Sequence, residues 1–348
     1  MDSVFVPEGT IAEAVIFFPM LILIICASWF IQILIHEAGH LFFGLLSGYK
    51  FGAFRILSFM WVKDRGTIRF CRHSLTGVLG QCIMEPPDLI NGRIPFLLSL
   101  MGGSLMNILS AFAFWALHFT FERESFAAIA TFYLAIMGLM SAIENAMPVR
   151  TSAMCNDGYN ALSLIRNPDA VCAYWKEMKI GQQIAMGFEL NAMPDEWFDL
   201  PDDDAMKNPR IAAIGLWRCS RLIETGRYEE ADALMAHLLE IDSDMVDRYR
   251  RMMVCDRMCI EMIYANRPEI VEAMLTREQQ RFMKSMKRDL TVLRTQYIYA
   301  LLHDRNEQHA AALRAQFEKT AQSHPYPVEL KPERELMDIA YQKATKAA

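Results

Sequence analysis

Two histidines and a glutamate near the N-terminus have the residue types and spacing needed for metal-dependent hydrolytic chemistry. Residues 36–40 read His-Glu-Ala-Gly-His. On an α-helix, side chains four positions apart share a face, so His36 and His40 can ligate one tetrahedral zinc ion. Glu37 can then take a proton from a water that the metal has made acidic. The five residues lie in a long apolar stretch, where ionisable side chains usually mark a function. The alternative is a polar cluster that only holds helices together.

A catalytic zinc site needs a third protein ligand, and the sequence offers two acids. Three protein ligands leave the fourth position for water. Asp157 lies in Asn156-Asp157-Gly158, just after the third apolar stretch, and Glu144 lies within that stretch. Each acid has another explanation. Asp157 could cap a helix over 159–165, and Glu144 could reach water near the membrane surface.

Two further polar residues lie in the second apolar stretch. Asn107 follows the small residues Gly102, Gly103 and Ser104. It belongs either to the active site or to a hydrogen bond between closely packed helices. His118, near the end of the stretch, is more typical of a packed histidine than of a metal ligand.

Three apolar stretches in the first 148 residues predict a polytopic membrane core. They are 21–47, with an apolar prelude from Ile11 and a possible break at Pro19, then 94–121 and 126–147. Each is long enough to cross the hydrocarbon layer. The loop between the first two holds seven Lys or Arg residues, whereas the opposite side has only Arg123. The positive-inside rule therefore puts the N-terminus outside and the C-terminal part in the cytosol.

The loop at 48–92 is predicted to form a small β-hairpin or sheet. Residues 67–72 alternate in polarity, residues 63–66 form a glycine turn, and residues 78–84 are a further strand candidate that ends before Pro86-Pro87. The membrane core with this loop is expected to cover residues 1–165.

The rest of the chain is predicted to be soluble and helical. Residues 166–206 are acidic and contain prolines, and are expected to form a connector. In residues 207–348, similar segments begin at Gly226, Asn266 and Asp304, each between two amphipathic runs. The array, with Trp217 before the first segment, resembles tetratricopeptide repeats in architecture. Such arrays offer a concave surface to peptides or proteins, or they only stabilise or dimerise the molecule.

Charge and cysteine usage restrict the class of partner and the compartment. The formal net charge of −6 argues against a nucleic-acid partner. Eight scattered cysteines without a CxxC pair are expected to be reduced thiols.

Three motifs together resemble those of the site-2 protease family of intramembrane zinc metalloproteases, over about the first 165 residues. They are HEAGH at 36–40, Gly103-Ser104-Leu105-Met106-Asn107, and Asn145-Ala146-Met147-Pro148 followed by Asp157-Gly158. The resemblance implies a three-helix core in which Asp157 is the third zinc ligand. It also implies that Asn107 lies near the metal and polarises the scissile carbonyl or holds the substrate strand.

The resemblance gives the end of the third stretch a role as well. It implies that Asn145 and Pro148 shape the turn that returns Asp157 to the site. Asn145 and Asp157 are 12 positions apart, more than in the common form of the motif, so the chain must double back.

We therefore expect an intramembrane zinc endopeptidase with one Zn²⁺. His36, His40 and Asp157 would hold the metal, and Glu37 and Asn107 would act in catalysis. The substrate would be a membrane-embedded protein or a short peptide delivered to the bilayer, and the helical repeats would bind a protein partner. The location would be a bacterial cytoplasmic membrane. The alternative is a catalytically inactive membrane scaffold that recruits partners through the repeats.

Overall fold

The computed structural model of the protein describes residues 11–64, 66–73, 79–151 and 155–347. It is mainly α-helical with one four-stranded antiparallel sheet, which confirms the expected fold class in its coarse form. The chain divides into two compact units. The first comprises the residues up to Ser47 with Phe96–Val149 and Asn156–Tyr159, and the second comprises Gly48–Pro95, Arg150–Cys155 and the chain from Asn160 onward. The strand-rich segment thus groups with the C-terminal helices.

The first unit is a group of apolar helices. They are α1 (Ile11–Leu46), α2 (Phe96–Leu100), α3 (Gly102–His118), α4 (Phe126–Ala146) and the first turn of α5 (Asp157–Leu164). Helices α1, α3 and α4 pack against one another. The tight connection between α3 and α4 ends at Ser125, whose side chain accepts a hydrogen bond from the Ala128 amide and so caps α4.

Two helical segments are long and apolar enough to cross a membrane. They are Phe17–Leu46 and Phe126–Ala146, with mean hydropathies of 2.4 and 2.0. The first continues through Pro19, so the break considered there does not occur. The predicted span 94–121 is divided at Met101 into α2 and α3, of 5 and 17 residues. Gly102 and Gly103 follow Met101, and glycine disfavours a continuous helix. The described residues therefore contain two qualifying helices instead of three.

The backbones of α1 and α3 meet at a pair of glycines. A Cβ atom on Gly39 would lie 2.4 Å from the carbonyl oxygen of Gly102, and one on Gly102 would lie 2.8 Å from that of Gly39. No side chain fits between the helices at this level. Small residues let helices approach this closely, and the approach brings groups on α3 next to the His36–His40 turn of α1.

The second unit begins with the sheet, as predicted. Its strands are β1 (Lys50–Ile56), β2 (Phe59–Asp64), β3 (Thr67–Arg72) and β4 (Gly80–Glu85), in the order β3-β2-β1-β4. Ala53 pairs with Val62 in adjacent strands, and these two side chains with Met60 form a buried apolar cluster. The alternate residues Phe59 and Trp61 are exposed, as the two-residue period of a strand requires.

The helices of the second unit follow in sequence order. They are α6 (Pro168–Ala185), α7 (Pro209–Glu224), α8 (Tyr228–Glu240), α9 (Asp247–Tyr264), α10 (Pro268–Met274), α11 (Arg277–Ser285), α12 (Leu290–Ile298), α13 (Glu307–Ala321) and α14 (Leu330–Ala347). The segment 166–206, expected as a connector, contains α6 and three short 3-10 turns, and its Phe198 is only 3% exposed. Apolar burial thus orders this acidic stretch.

The three recurring segments of the sequence all lie between helices. Gly226 separates α7 from α8, Asn266 separates α9 from α10, and Arg305 lies in the connection that leads into α13. Each of these residues has a positive φ, between 50° and 73°. A residue in the left-handed region is a common way to end a helix and turn the chain.

A buried ion-pair network joins three helices of the second unit. Arg294 on α12 is 2% exposed and pairs with Asp256 on α9 and Glu333 on α14. Its Nη1 lies 2.9 Å from Glu333 Oε2. Burial raises the pKa of Glu333 to about 7, although the Arg294 guanidinium lowers it. The guanidinium therefore offsets part of the cost of burying these two acidic side chains, which are 21% and 17% exposed.

Replacement of Arg294 by methionine should destabilise the protein by about 3 kcal/mol at pH 8, because two largely buried acidic side chains lose their cation. Chemical denaturation followed by tryptophan fluorescence measures this loss. Arg227→Met is the control: Arg227 pairs with Glu230 at the surface, with both side chains more than half exposed. Its removal should leave the stability nearly unchanged, because an ion pair between exposed side chains contributes little. Equal effects of the two substitutions would contradict the assigned role of Arg294.

The raised pKa of Glu333 also predicts a pH dependence. The folded protein holds this proton up to about pH 7, whereas the unfolded chain releases it near pH 4.5. The stability of the wild type relative to Glu333→Gln should therefore fall as the pH rises through this window, since the folded state binds more protons. Denaturation curves at several pH values check the slope. A stability difference that is constant with pH would contradict it.

Candidate metal centre

Three side chains of the first unit converge on one point, as the sequence predicted. His36 Nε2 lies 3.0 Å from Asp157 Oδ2, and His40 Nε2 lies 3.2 Å from the same oxygen. The two Nε2 atoms are 3.1 Å apart. The His36, His40 and Asp157 side chains are 9%, 15% and 19% exposed. This group could hold a metal ion.

Hydrogen bonds on the far side of each ring determine what the Nε2 atoms can do. His40 Nδ1 lies 3.0 Å from the carbonyl oxygen of Ser99, in the last turn of α2. A carbonyl only accepts, so His40 Nδ1 carries the proton and its Nε2 carries a lone pair. His36 Nδ1 lies 2.7 Å from the side-chain oxygen of Asn107. Metal-bound histidines in proteins usually have such a partner on the other nitrogen.

The distances fit a tetrahedral cation. Donor atoms bonded at roughly 2.0–2.1 Å to a tetrahedral zinc ion lie about 3.3 Å from one another. The three observed separations are 3.0, 3.1 and 3.2 Å. Two imidazole nitrogens and a carboxylate oxygen at this separation repel one another unless a proton or a metal cation lies between them. The residues present therefore suit a bound metal ion.

The return of Asp157 depends on its neighbour Asn156. The Asn156 amide nitrogen donates to the Glu144 carbonyl at 2.7 Å, and its oxygen accepts from the Val149 and Tyr159 amides at 3.0 Å. Asn156 is thus the cap of α5 and ties it to the end of α4. The capping role considered for Asp157 is wrong, because Asp157 is the first helical residue and its carboxylate faces the imidazoles.

Glycines leave room for the site on two sides. A Cβ atom on Gly103 of α3 would lie 2.5 Å from the His36 ring. One on Gly158 would lie 2.2 Å from the carbonyl oxygen of Ala146. The first glycine makes space for the imidazole, and the second lets α5 start against the end of α4.

The other candidate residues occupy different places. Glu144 is exposed and does not belong to the metal-binding group among the described residues. Asn145 donates to the Ser141 carbonyl of its own helix at 2.9 Å. His118 bonds the Ala128 carbonyl at 2.9 Å and stacks on Trp115, so it packs as predicted. Glu37 is 9% exposed and follows His36 on α1.

Asn107 combines the two roles considered for it. It is fully buried, bonds α3 to α1 through Gln32, and contacts His36. Gln32, Ser99 and Asn156 were not predicted to take part in the site. Gln32 could have been found from the sequence, because it lies one turn before His36 in an apolar helix and a polar side chain there needs a partner. The Ser99 contact is made by a backbone carbonyl, which has no sequence signal.

No protein-family model, curated protein or solved structure matches the chain. Its class therefore rests on its own fold and site. The protein is mainly helical, two of its helices are apolar enough to cross a membrane, and a His-His-Asp group in the same unit could hold a metal ion.

Replacement of Gly103 by alanine should weaken metal binding at least about tenfold, because the new methyl group displaces the His36 ring from its orientation. Competition with a chromophoric chelator measures the affinity. Gly181→Ala in α6 is the matched control, because nothing lies within 4 Å of a Cβ atom there. It should leave metal affinity unchanged and stabilise the helix by about 0.5–1 kcal/mol. A folded Gly103→Ala protein with wild-type affinity would refute the packing argument.

Proposed function

We propose that the protein is an intramembrane zinc endopeptidase. The observation that carries the proposal is the group of His36 Nε2, His40 Nε2 and Asp157 Oδ2, all within 3.2 Å of one another. Both histidines lie on Phe17–Leu46, a helix long and apolar enough to cross a bilayer. Three ligands and one open position are typical of catalytic zinc sites, whereas structural sites are closed by four.

Zinc fits this donor set better than magnesium or calcium do. Two imidazole nitrogens and one carboxylate oxygen suit zinc, whereas magnesium and calcium prefer oxygen ligands alone. When bound, zinc would supply a Lewis acid that lowers the pKa of water and polarises a carbonyl group. The hydrogen bonds from Nδ1 of His36 and His40 would hold both rings in the orientation for binding.

Glu37 is the proposed general base. It is next to one ligand and three residues before the other, and its low exposure keeps it away from bulk solvent. In peptide hydrolysis it would accept a proton as water attacks the carbonyl carbon. It would then pass that proton to the amine as the carbon–nitrogen bond breaks. The side-chain nitrogen and oxygen of Asn107 are already bonded to Gln32 and His36. Asn107 would therefore act by orienting the metal ligand His36.

Exposed apolar side chains support a three-helix membrane core. Only 17% of the most apolar 18 residues in the first qualifying helix and 33% in the second are buried. On α3, which is shorter, Leu109 and Phe112 are 56% and 66% exposed. Core helices of soluble proteins are largely buried, so these surfaces suit lipid. The proposed topology has the N-terminus outside and the C-terminal part in the cytosol of a bacterium.

The proposed substrate is a membrane-embedded protein or a short peptide delivered to the bilayer. The motif resemblance to site-2 proteases favours regulated intramembrane proteolysis or the maturation of a peptide precursor. The paired helices of the second unit would bind a protein partner, as helical-repeat surfaces do. An inactive scaffold is the second candidate. It is disfavoured by the converging Nε2 atoms, because a scaffold needs no such convergence.

Replacement of Glu37 by glutamine should retain one zinc per chain and lower cleavage by about 10²–10⁴-fold, because the proton acceptor is lost while the ligands stay. Metal analysis of the purified chain measures zinc. Mass spectrometry of new peptide termini in membranes that contain the wild type or the variant identifies cleavage.

Asp157→Ala is the companion variant and should lose both zinc and cleavage. Full cleavage by Glu37→Gln would refute the mechanism. A wild-type protein without stoichiometric zinc would refute the enzyme and favour the scaffold.

A further inference from the structure

We propose that Gln32 is a positioning residue that fixes the tautomer and ring orientation of His36 by acting through Asn107. The proposal rests on the proposed metal centre. Gln32 lies one helical turn before His36 on α1, and both Gln32 and Asn107 are completely buried.

The first step fixes the Gln32 amide. Its Nε2 lies 2.9 Å from the backbone carbonyl oxygen of Leu134 on α4. A carbonyl cannot donate, so the amide nitrogen must face Leu134 and the amide oxygen must face the other way. The Ser110 hydroxyl lies 3.1 Å from Gln32 Oε1 and 3.0 Å from the Asn107 backbone oxygen, so these two acceptors share its one proton.

The second step transfers this orientation to Asn107. Its Nδ2 lies 2.8 Å from Gln32 Oε1 and 2.9 Å from the Gln32 backbone oxygen. Both partners are acceptors, so the Asn107 nitrogen must face Gln32. The Asn107 oxygen therefore faces His36 and also accepts from the Ser141 hydroxyl at 3.3 Å.

The third step sets the histidine. Asn107 Oδ1 can only accept, and it lies 2.7 Å from His36 Nδ1, so that nitrogen carries the proton. His36 Nε2 then presents its lone pair toward Asp157 and His40. A flipped Asn107 amide would donate to Nδ1 instead. The ring would then carry its proton on Nε2, where the metal must bind.

We call the hydrogen-bonded chain Gln32–Asn107–His36 the relay, and it orients only one of the two histidines. His40 has its tautomer fixed directly by the Ser99 carbonyl, which no side-chain rotation can reverse. His36 depends on the side-chain amide of Asn107, which the backbone oxygen and the side-chain oxygen of Gln32 together hold in one orientation. Gly138 of α4 leaves room for the Gln32 side chain, because a Cβ atom at this position would lie 2.9 Å from Gln32 Nε2.

The test compares Gln32→Leu with Thr131→Val in the purified full chain. Leucine removes the side-chain acceptor of the Asn107 nitrogen and leaves only the backbone carbonyl of residue 32. The zinc affinity from chelator competition should therefore fall about tenfold. Thr131 is a buried residue of α4 whose hydroxyl donates only to carbonyls of its own helix, at Ala127 and Ala128. Its substitution should leave zinc affinity unchanged. Wild-type zinc affinity in folded Gln32→Leu would overturn the proposal.

Two measurements distinguish positioning from a general loss of packing. Nitrogen-15 spectra of the zinc-loaded wild type should show His36 bound through Nε2, with a protonated Nδ1 protected from exchange. In Gln32→Leu that protection should fall at His36 and stay at His40. Binding of zinc through His36 Nδ1 in the wild type would overturn the proposal, even if Gln32→Leu did not fold.

A wild type that binds no zinc would instead refute the proposed function, which separates the two failures.

Discussion

Two imidazole nitrogens and a carboxylate oxygen, held about 3 Å apart among apolar helices, repel one another unless they share a positive charge. The arrangement of the first unit follows from this constraint. The far side of each ring is bonded to an oxygen, which keeps both Nε2 lone pairs directed at one point. A tetrahedral divalent cation would satisfy all three donors and leave one position open. A bound cation would therefore relieve the repulsion among these donor atoms and also supply the proposed chemistry.

Rigid elements bring the three ligands together. Two come from one helix, where the spacing of four residues is sufficient. The third comes from a chain that doubles back after α4 and is held there by Asn156. Contact between Gly39 and Gly102 lets α3 approach α1 closely enough for Asn107 to reach His36. The second apolar stretch is divided into α2 and α3, and the Ser99 carbonyl just before this break orients His40.

The two units bury their apolar residues differently. The first unit leaves Leu109 and Phe112 exposed on α3. The second unit buries Met258 and Met262 completely and keeps Arg294 in an internal ion-pair network. Large exposed apolar surfaces suit a lipid environment, whereas a closed core with charged residues outside suits water. This contrast fits the proposed membrane enzyme with a water-exposed helical part.

The sequence alone determined the features that depend on local spacing. The His36–Glu37–His40 pattern, the helix at 126–146, the strand at 67–72 and the helical C-terminal part follow from helical or strand periodicity and from apolar runs. The choice between Asp157 and Glu144 and the hydrogen bonds that join Gln32, Asn107 and His36 were decided only by the tertiary structure. The physical reason is that each depends on which backbone carbonyl or side chain lies opposite. That partner is set by helix packing and chain return across 71 to 121 positions, a range over which residue spacing carries no geometric information.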